Sequence, residues 1–171
     1  IDKLVKKGYL DDEKLCMEQI QALSNSLYGP KQIISKLKQR GIKEDCILAC
    51  MEQSKLKEYE YALAYATKTL KQNQKSSVTK TKNTIRNKLM TRGYSNSTIE
   101  KVVSEFDYSS NKENENVLLE KVIKKAIKRY ERKYRGYDLK TRIYRYCLTQ
   151  GFHGEDISAY MDRMEWIYDE D

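Results

Sequence analysis

Apolar residues recur in phase around three glycines, Gly41, Gly93 and Gly151. The positions eight and four residues before each glycine, and one, six and ten residues after it, are apolar in all three copies: Ile33, Leu37, Ile42, Ile47 and Met51; Ile85, Leu89, Tyr94, Ile99 and Val103; Ile143, Cys147, Phe152, Ile157 and Met161. Apolar residues four apart share one helix face, and a glycine beyond a helix end supplies a left-handed C-terminal cap. The pattern therefore predicts two short helices joined by a tight turn in each copy.

A longer amphipathic segment precedes each pair of short helices. Apolar residues three and four apart run through 11–26, 55–71 and 117–134. We therefore predict an all-α protein of three tandem three-helix repeat units, at 1–54, 55–110 and 111–171. A unit of about fifty residues cannot bury its apolar faces alone, so we expect the units to stack in an elongated or curved array.

Two polar segments connect the predicted helices, at 72–77 and 108–116. Their Asn, Gln, Ser and Lys residues are typical of loops and linkers. The second segment is either a hinge or a connection that caps the next helix.

The composition favours helices and gives no sign of a membrane segment. The 171 residues include one Pro and seven Gly, so few breaks interrupt helical runs. No apolar run approaches the roughly 20 residues that cross a bilayer, and the first residues do not resemble a signal peptide. We expect a cytoplasmic protein without a membrane partner.

The four cysteines do not form a metal-binding motif. Cys16, Cys46, Cys50 and Cys147 include no C-x-x-C pair, and His153 is the one histidine of the sequence. Cys46 and Cys50 share one helix face and are interpreted as core thiols. We expect no metal site and no cofactor.

No residue pattern indicates an enzyme. Residues 11–13, Asp-Asp-Glu, are interpreted as helix N-terminal charge rather than paired catalytic carboxylates. His153 lies in a predicted turn without a second catalytic residue at motif spacing, and the sequence contains no phosphate loop or dinucleotide fingerprint. We expect a non-enzymatic binding protein.

The net charge of +8 is unevenly distributed along the chain. Residues 61–99 contain eight Lys or Arg and no acid, residues 121–145 contain eleven against two acids, and the last eighteen residues contain seven acids. This asymmetry favours a polyanionic partner, either nucleic acid or an acidic protein groove. The alternative is that these charges are only a solvated helix surface.

The repeat alignment selects candidate contact residues within the basic segments. Two cations stand at the same two positions before Gly41 and Gly93, four residues apart and therefore on one helix face, which we expect to be exposed. In the third copy, arginines alternate with tyrosines, which suits base stacking or a protein contact, although core packing is the commoner fate of helical tyrosines. The candidate partner-binding residues are Lys36, Arg40, Lys88, Arg92, Arg129, Arg142 and Arg145.

Several segments together resemble the RecX family. The first unit has an acidic pair that opens its first helix, a Gly-Pro start to its second helix and an L-x-x-x-G turn after it. The residues are Tyr9-Leu10-Asp11-Asp12-Glu13-Lys14-Leu15-Cys16, Gly29-Pro30-Lys31-Gln32-Ile33 and Leu37-Lys38-Gln39-Arg40-Gly41-Ile42. The later copies resemble the family's second and third repeats at Leu89-Met90-Thr91-Arg92-Gly93-Tyr94 and Leu148-Thr149-Gln150-Gly151-Phe152. The chain departs from the pattern at Leu15-Cys16, where the family more often has an aromatic residue followed by alanine.

The resemblance implies a regulator of RecA recombinase. It implies an all-helical, non-catalytic protein that lodges in the groove of the RecA–DNA filament and interferes with filament growth or strand exchange, in recombination, DNA repair and the SOS response. We expect inhibition and a monomer. The alternative is a direct DNA-binding protein, whose helix pairs resemble helix-turn-helix readers and would contact single- or double-stranded DNA. A third reading is a structural helical scaffold.

Overall fold

In a computed structural model of the protein, the backbone is described for residues 2–73 and 76–164, and the side chains for 12–73, 76–109 and 112–164. These residues form helices and no β-strand, so the predicted all-α class is confirmed. The helices are α1 (Asp2–Asn25), α2 (Pro30–Gln39), α3 (Glu44–Gln53), α4 (Glu58–Gln72), α5 (Val78–Thr91), α6 (Asn96–Glu105), α7 (Ser109–Glu113), α8 (Glu115–Tyr130), α9 (Gly136–Thr149) and α10 (Gly154–Met161). None of the described helices has the length and apolar character that spanning a membrane requires.

The start of α1 corrects one interpretation made from the sequence. Residues 11–13 were expected to supply charge at a helix N-terminus, but α1 begins at Asp2 and these acids lie inside it. Residues 2–10 contain no proline, so nothing in the sequence stops the helix from extending toward the N-terminus. The interpretation of the three acids as helix N-terminal charge is therefore wrong.

The two polar segments adopt different structures. Residues 108–116 form α7 and the beginning of α8. Residues 73, 76 and 77 connect α4 and α5, while residues 74 and 75 lie outside the described part of the chain, as does the acidic stretch 165–171.

The described residues divide into two compact units. The first comprises Ile1–Leu70 with Ile85–Phe106, and the second comprises Lys71–Thr84 with Asp107–Asp171. The division into three repeat units at 1–54, 55–110 and 111–171 stays a prediction. One core of the first unit is built from α1, α2 and α3, and its buried residues are Cys16, Ile20, Leu23, Ile33, Leu37, Cys46, Ile47 and Cys50. A core of the second unit joins α8, α9 and α10 through Leu119, Ile123, Ala126, Ile143, Cys147, Phe152, Ile157 and Met161.

The three glycine turns have the same backbone geometry. Gly41, Gly93 and Gly151 have φ of 83°, 82° and 84°, so the left-handed cap predicted at each is confirmed. Each glycine N–H donates to the carbonyl three residues earlier, and the next residue's N–H donates to the carbonyl five residues earlier, over 2.9 to 3.3 Å. These two bonds are the Schellman arrangement, which satisfies carbonyls that a helix end leaves without partners.

In the first unit, the Gly93 turn docks directly on the start of α2. The Gly29 N–H donates to the Arg92 carbonyl over 2.8 Å, and the Lys31 N–H donates to the Gly93 carbonyl over 3.0 Å. A Cβ atom on Gly29 would lie 2.5 Å from the Gly93 carbonyl carbon, and one on Gly93 would lie 2.4 Å from the Gln32 nitrogen. Glycine at both positions lets the two backbones touch.

In the second unit, the Gly151 turn docks on the start of α5 in a related way. The Ser77 hydroxyl donates to the Gln150 carbonyl over 2.9 Å, and the Lys80 ammonium donates to the Gln150 side-chain oxygen over 2.6 Å. A Cβ atom on Gly151 would lie 2.8 Å from the Ser77 Oγ atom. In both units, a glycine turn therefore packs against the N-terminus of another helix.

Candidate functional site

Two of the predicted contact residues meet at one tyrosine ring in the first unit. The Lys36 Nζ atom lies 4.7 Å from the centroid of the Tyr28 ring, and the Arg92 Cζ atom lies 4.4 Å from the same centroid. Arg92 also lies 4.7 Å from the centroid of Tyr65 on α4. Tyr28 lies in the turn between α1 and α2, and its ring brings together cations from two different copies of the sequence repeat.

Arg92 is anchored within the fold. Its Nη1 atom donates to the Ser26 carbonyl over 3.1 Å, and its own carbonyl accepts the Gly29 N–H. Its side chain is half-buried against Tyr28 and Tyr65. Arg92 therefore holds the turn after α1 in addition to any contact it makes with a partner.

The other predicted contacts of the first unit differ in exposure. Arg40, directly after α2, is exposed, whereas Lys36 and Lys88 are half-buried. We expected all four residues to lie on an exposed helix face. Only Arg40 is exposed, and the other three are half-buried.

A tyrosine–arginine cluster lies in the second unit and consists of Tyr130, Tyr134, Tyr146, Arg129 and Arg142. The rings of Tyr130 and Tyr134 meet edge to face with centroids 6.4 Å apart, and those of Tyr130 and Tyr146 with centroids 6.2 Å apart. The Arg142 Cζ atom lies 3.7 Å from the Tyr134 centroid, and the Arg129 Cζ atom lies 5.5 and 5.8 Å from the Tyr130 and Tyr146 centroids. Such cation–π contacts contribute about 0.5–1 kcal/mol each at an exposed site.

The tyrosine–arginine cluster joins the core to the surface. Tyr130 and Tyr146 pack against the core of the second unit and are half-buried, while Arg129 and Arg142 are exposed. The two expectations for the tyrosines, core packing and surface contact, are therefore compatible. The rings fix the guanidinium groups in place without removing them from solvent.

Arg145 lines a groove between α9 and α10. The groove has a volume of about 430 Å³, and its lining residues are Tyr137, Lys140, Thr141, Tyr144, Arg145, Leu148, Ser158, Met161 and Asp162. Tyr137 is 81% exposed and Leu148 is 43% exposed. Arg145 is exposed and borders this partly apolar surface, which extends along the same helix, α9, that carries Arg142.

Part of the positive charge of residues 61–99 is engaged by other side chains at the surface. The Arg86 guanidinium donates to both carboxylate oxygens of Glu100, over 2.6 and 2.9 Å, and this hydrogen bonding lowers the pKa of Glu100. The Lys82 ammonium lies 5.1 Å from the Tyr108 ring centroid. This basic segment therefore presents less free charge than its sequence suggests.

The sequence pattern did not reveal the role of Tyr28. Its ring receives cations from positions 36 and 92, and neither spacing corresponds to a local motif. His153, by contrast, lies exposed immediately before α10, as predicted for a turn histidine.

Curated relatives align with most of the chain. Regulatory protein RecX of Bacillus licheniformis is 31% identical over 157 residues, which are 90% of this chain and 59% of the relative. Regulatory protein RecX of Streptococcus sanguinis is 31% identical over 163 residues, 93% of this chain and 62% of the relative. Regulatory protein RecX of Oceanobacillus iheyensis is 24% identical over 165 residues, which are 95% of this chain and 61% of the relative. The chain thus spans about six tenths of the length of these relatives.

A solved structure has the same fold. A crystal structure of regulatory protein RecX superposes with a TM-score of 0.64 at 17% identity, covering 95% of this chain and 77% of that chain. No family model matches the chain.

Proposed function

Because the chain belongs to the RecX family over the length it shares with these relatives, we propose that it binds the RecA–DNA filament and regulates RecA recombinase. The observation that carries the proposal is the alignment of 90% of the chain with a relative named as a regulatory protein. In this proposal the protein is a monomer without catalytic activity, acts in the cytoplasm and inhibits RecA from the filament groove.

We place the main contact of the second unit at Arg129, Arg142 and Arg145. All three are exposed, and residues 121–145 carry eleven basic residues against two acidic ones. The DNA phosphates make a protein–DNA filament polyanionic. The positive charge of residues 121–145 would therefore attract the filament and speed association. Guanidinium groups can pair with phosphate or carboxylate through two parallel hydrogen bonds.

The tyrosine rings support this choice energetically. Arg142 and Arg129 already lie against tyrosine rings, so binding would immobilise them at a smaller entropy cost than free side chains. An immobilised long side chain otherwise costs about 0.5–1.5 kcal/mol. The tyrosine–arginine cluster is therefore better prepared for a partner than an isolated surface lysine.

In the first unit, we propose that the exposed Arg40 contacts the partner directly and that the half-buried Lys36 and Lys88 take a smaller part in binding. Arg92 has a different proposed role, because its guanidinium already binds the Ser26 carbonyl and two tyrosine rings. Its replacement should loosen the turn after α1 as well as weaken binding.

Co-sedimentation with RecA filaments on single-stranded DNA tests the proposal. The double variant Arg129→Glu and Arg142→Glu should bind at least about tenfold more weakly, since each charged contact buried on association is worth about 2–5 kcal/mol. The matched control is Lys121→Glu with Lys125→Glu, which changes two exposed cations on α8 by the same charge. Equal losses in both double variants would indicate diffuse attraction and contradict a specific contact at Arg129 and Arg142.

The effect on RecA is measured in the same preparation. The unmodified chain should lower the rate of DNA-dependent ATP hydrolysis by RecA, and the arginine variant should require at least about ten times more protein for the same effect, in line with its weaker binding. Absence of association at near-physiological salt would contradict the proposed function.

Direct DNA binding is the second candidate, favoured by guanidinium groups and tyrosine rings that could stack on bases. Titration of single- and double-stranded DNA without RecA, over a series of salt concentrations, distinguishes the two. Submicromolar and site-selective binding to DNA alone would favour this second candidate over the first.

A further inference from the structure

Three of the four cysteines converge in the core of the first unit. Cys16 lies on α1, and Cys46 and Cys50 lie on α3. Their Sγ atoms all lie within 4.8 Å of one another, and those of Cys46 and Cys50 are 4.0 Å apart. The three residues are 0%, 6% and 1% exposed, and none forms a disulfide.

The spacing of these sulfur atoms fits a three-coordinate metal. A metal–sulfur distance of about 2.3 Å places the three sulfurs of a trigonal site about 4 Å apart, so the cluster would need to contract by less than about 1 Å. Among the described residues, the cluster offers three sulfur ligands and no histidine or carboxylate. Thiolates bind zinc and iron–sulfur clusters as well as monovalent copper, but structural zinc almost always takes four protein ligands, so three thiolates without a fourth ligand favour monovalent copper.

We propose that Cys16, Cys46 and Cys50 form a three-thiolate binding site for a monovalent copper ion. The proposal does not rest on the proposed interaction with RecA, since the three ligands are core residues of α1 and α3, and Arg40 alone of the proposed contact residues lines the neighbouring cavity.

A cavity provides access to the cluster. It has a volume of about 190 Å³ and is lined by Asp12, Leu15, Arg40, Gly41, Ile42, Lys43 and Cys46. Cys46 is the cysteine of the cluster that lines this cavity. A route for the ion is one of the requirements that separates a metal site from thiols that merely pack in a core.

Nearby charges suit the anionic complex that would form. One monovalent copper ion with three thiolates carries a net charge of −2, and the residues that line the cavity include two cations, Arg40 and Lys43, against one acid, Asp12. Cys46 also lies in the first turn of α3, where the helix dipole favours negative charge. These cations and the helix start would offset part of the complex's charge.

Binding would release protons without transferring electrons. Each of the three thiols loses its S–H proton to buffer as a copper–sulfur bond forms, and the copper remains monovalent throughout. Copper affinity should consequently increase as the pH rises from 6 to 8, because fewer protons then compete for the sulfurs.

Titration of the fully reduced chain tests the site. Under anaerobic conditions, monovalent copper is supplied as its bicinchoninate complex, and transfer to the protein is followed through the loss of that complex's colour. One equivalent should transfer, and X-ray absorption should find three sulfur neighbours at about 2.3 Å from the metal. If the unmodified protein binds copper with a different stoichiometry, or with fewer than three sulfur neighbours, the proposal is overturned.

Single cysteine variants identify the ligands. Cys16→Ala and Cys50→Ala should each lower the affinity at least about a hundredfold, since loss of an outer-shell partner alone costs about 10–100-fold. Cys147→Ala is the control, because Cys147 is buried in the core of the second unit and outside the cluster. Circular dichroism establishes that each variant is folded, and unchanged affinity in folded Cys16→Ala would contradict the site. Equimolar divalent zinc should leave the bound copper in place, and displacement by zinc would equally contradict it.

Discussion

Replacing Gly29 by alanine tests the docking of the Gly93 turn on the start of α2. Gly29 has φ of −80° and ψ of 165°, an extended conformation that alanine adopts readily, also before Pro30. Without any steric conflict, the substitution would stabilise the fold by about 0.4–1 kcal/mol, since it restricts the unfolded chain. Any loss of stability in Gly29→Ala therefore measures the close approach of the two backbones.

The structure gives the size of the expected loss. The new Cβ atom would lie 2.5 Å from the Gly93 carbonyl carbon and from the Tyr94 nitrogen, so the two segments must separate by about 1 Å to reach ordinary contact. Overpacking of this kind costs about 1–3 kcal/mol. The two backbone hydrogen bonds between the segments would weaken, at about 0.5–1.5 kcal/mol each. Allowing for the gain from alanine, the free energy of unfolding should fall by about 1–5 kcal/mol.

Urea unfolding followed by circular dichroism measures this change. With a slope of about 2 kcal/mol per M, the midpoint should fall by about 0.5–2.5 M. Gly41→Ala is the comparison, because Gly41 has φ of 83° but no atom within 4 Å of the added Cβ. It should cost about 1–2 kcal/mol from backbone strain alone. A Gly29→Ala protein as stable as the unmodified chain, or more stable, would refute the steric argument.

Three further substitutions test individual contacts. Tyr94→Phe removes the hydroxyl that donates to the Leu27 carbonyl over 3.0 Å. Urea unfolding should show that the free energy of unfolding falls by about 1 kcal/mol. No change would mean that water replaces this bond. Ile143→Ala empties a fully buried position and should cost about 2–5 kcal/mol in the same assay, so a loss below 1 kcal/mol would contradict its place in the core. Glu100→Gln removes the charge that pairs with Arg86 and should lower the urea midpoint slightly at pH 7, where the carboxylate is ionised and the pair is exposed to solvent. Because this pairing lowers the pKa of Glu100, the difference from the unmodified chain should shrink as the pH falls below the ordinary carboxyl pKa, and a constant difference would count against the ion pair.

The glycine turns could be predicted from the sequence because their chemistry is local. Gly41, Gly93 and Gly151 each follow a helix whose apolar residues lie four and eight positions earlier, and the cap bonds span at most five residues. The left-handed conformation depends on that short segment alone. Helix type and the buried positions beside each glycine follow from the same local pattern.

The surroundings of Arg92 and the cysteine cluster could not be predicted in this way. Arg92 contacts Ser26, which is 66 positions away in the sequence, and Cys16 meets Cys46 across 30 positions. Helical periodicity assigns each residue to a face of its own helix but does not identify the residue that it meets there. Exposure was therefore expected where the fold places an internal contact, and no sequence motif links Cys16 on α1 with Cys46 and Cys50 on α3.

The direct hydrogen bonds between the start of α2 and the Gly93 turn join peptide groups, with the Gln32 side chain packed beside them. Main-chain atoms are the same in every residue, so evolution can replace most of the surface of α2 and α5 without altering how this joint closes. Descendants of one ancestral chain could thus acquire different surface charges, and different affinities for their partners, on an inherited framework.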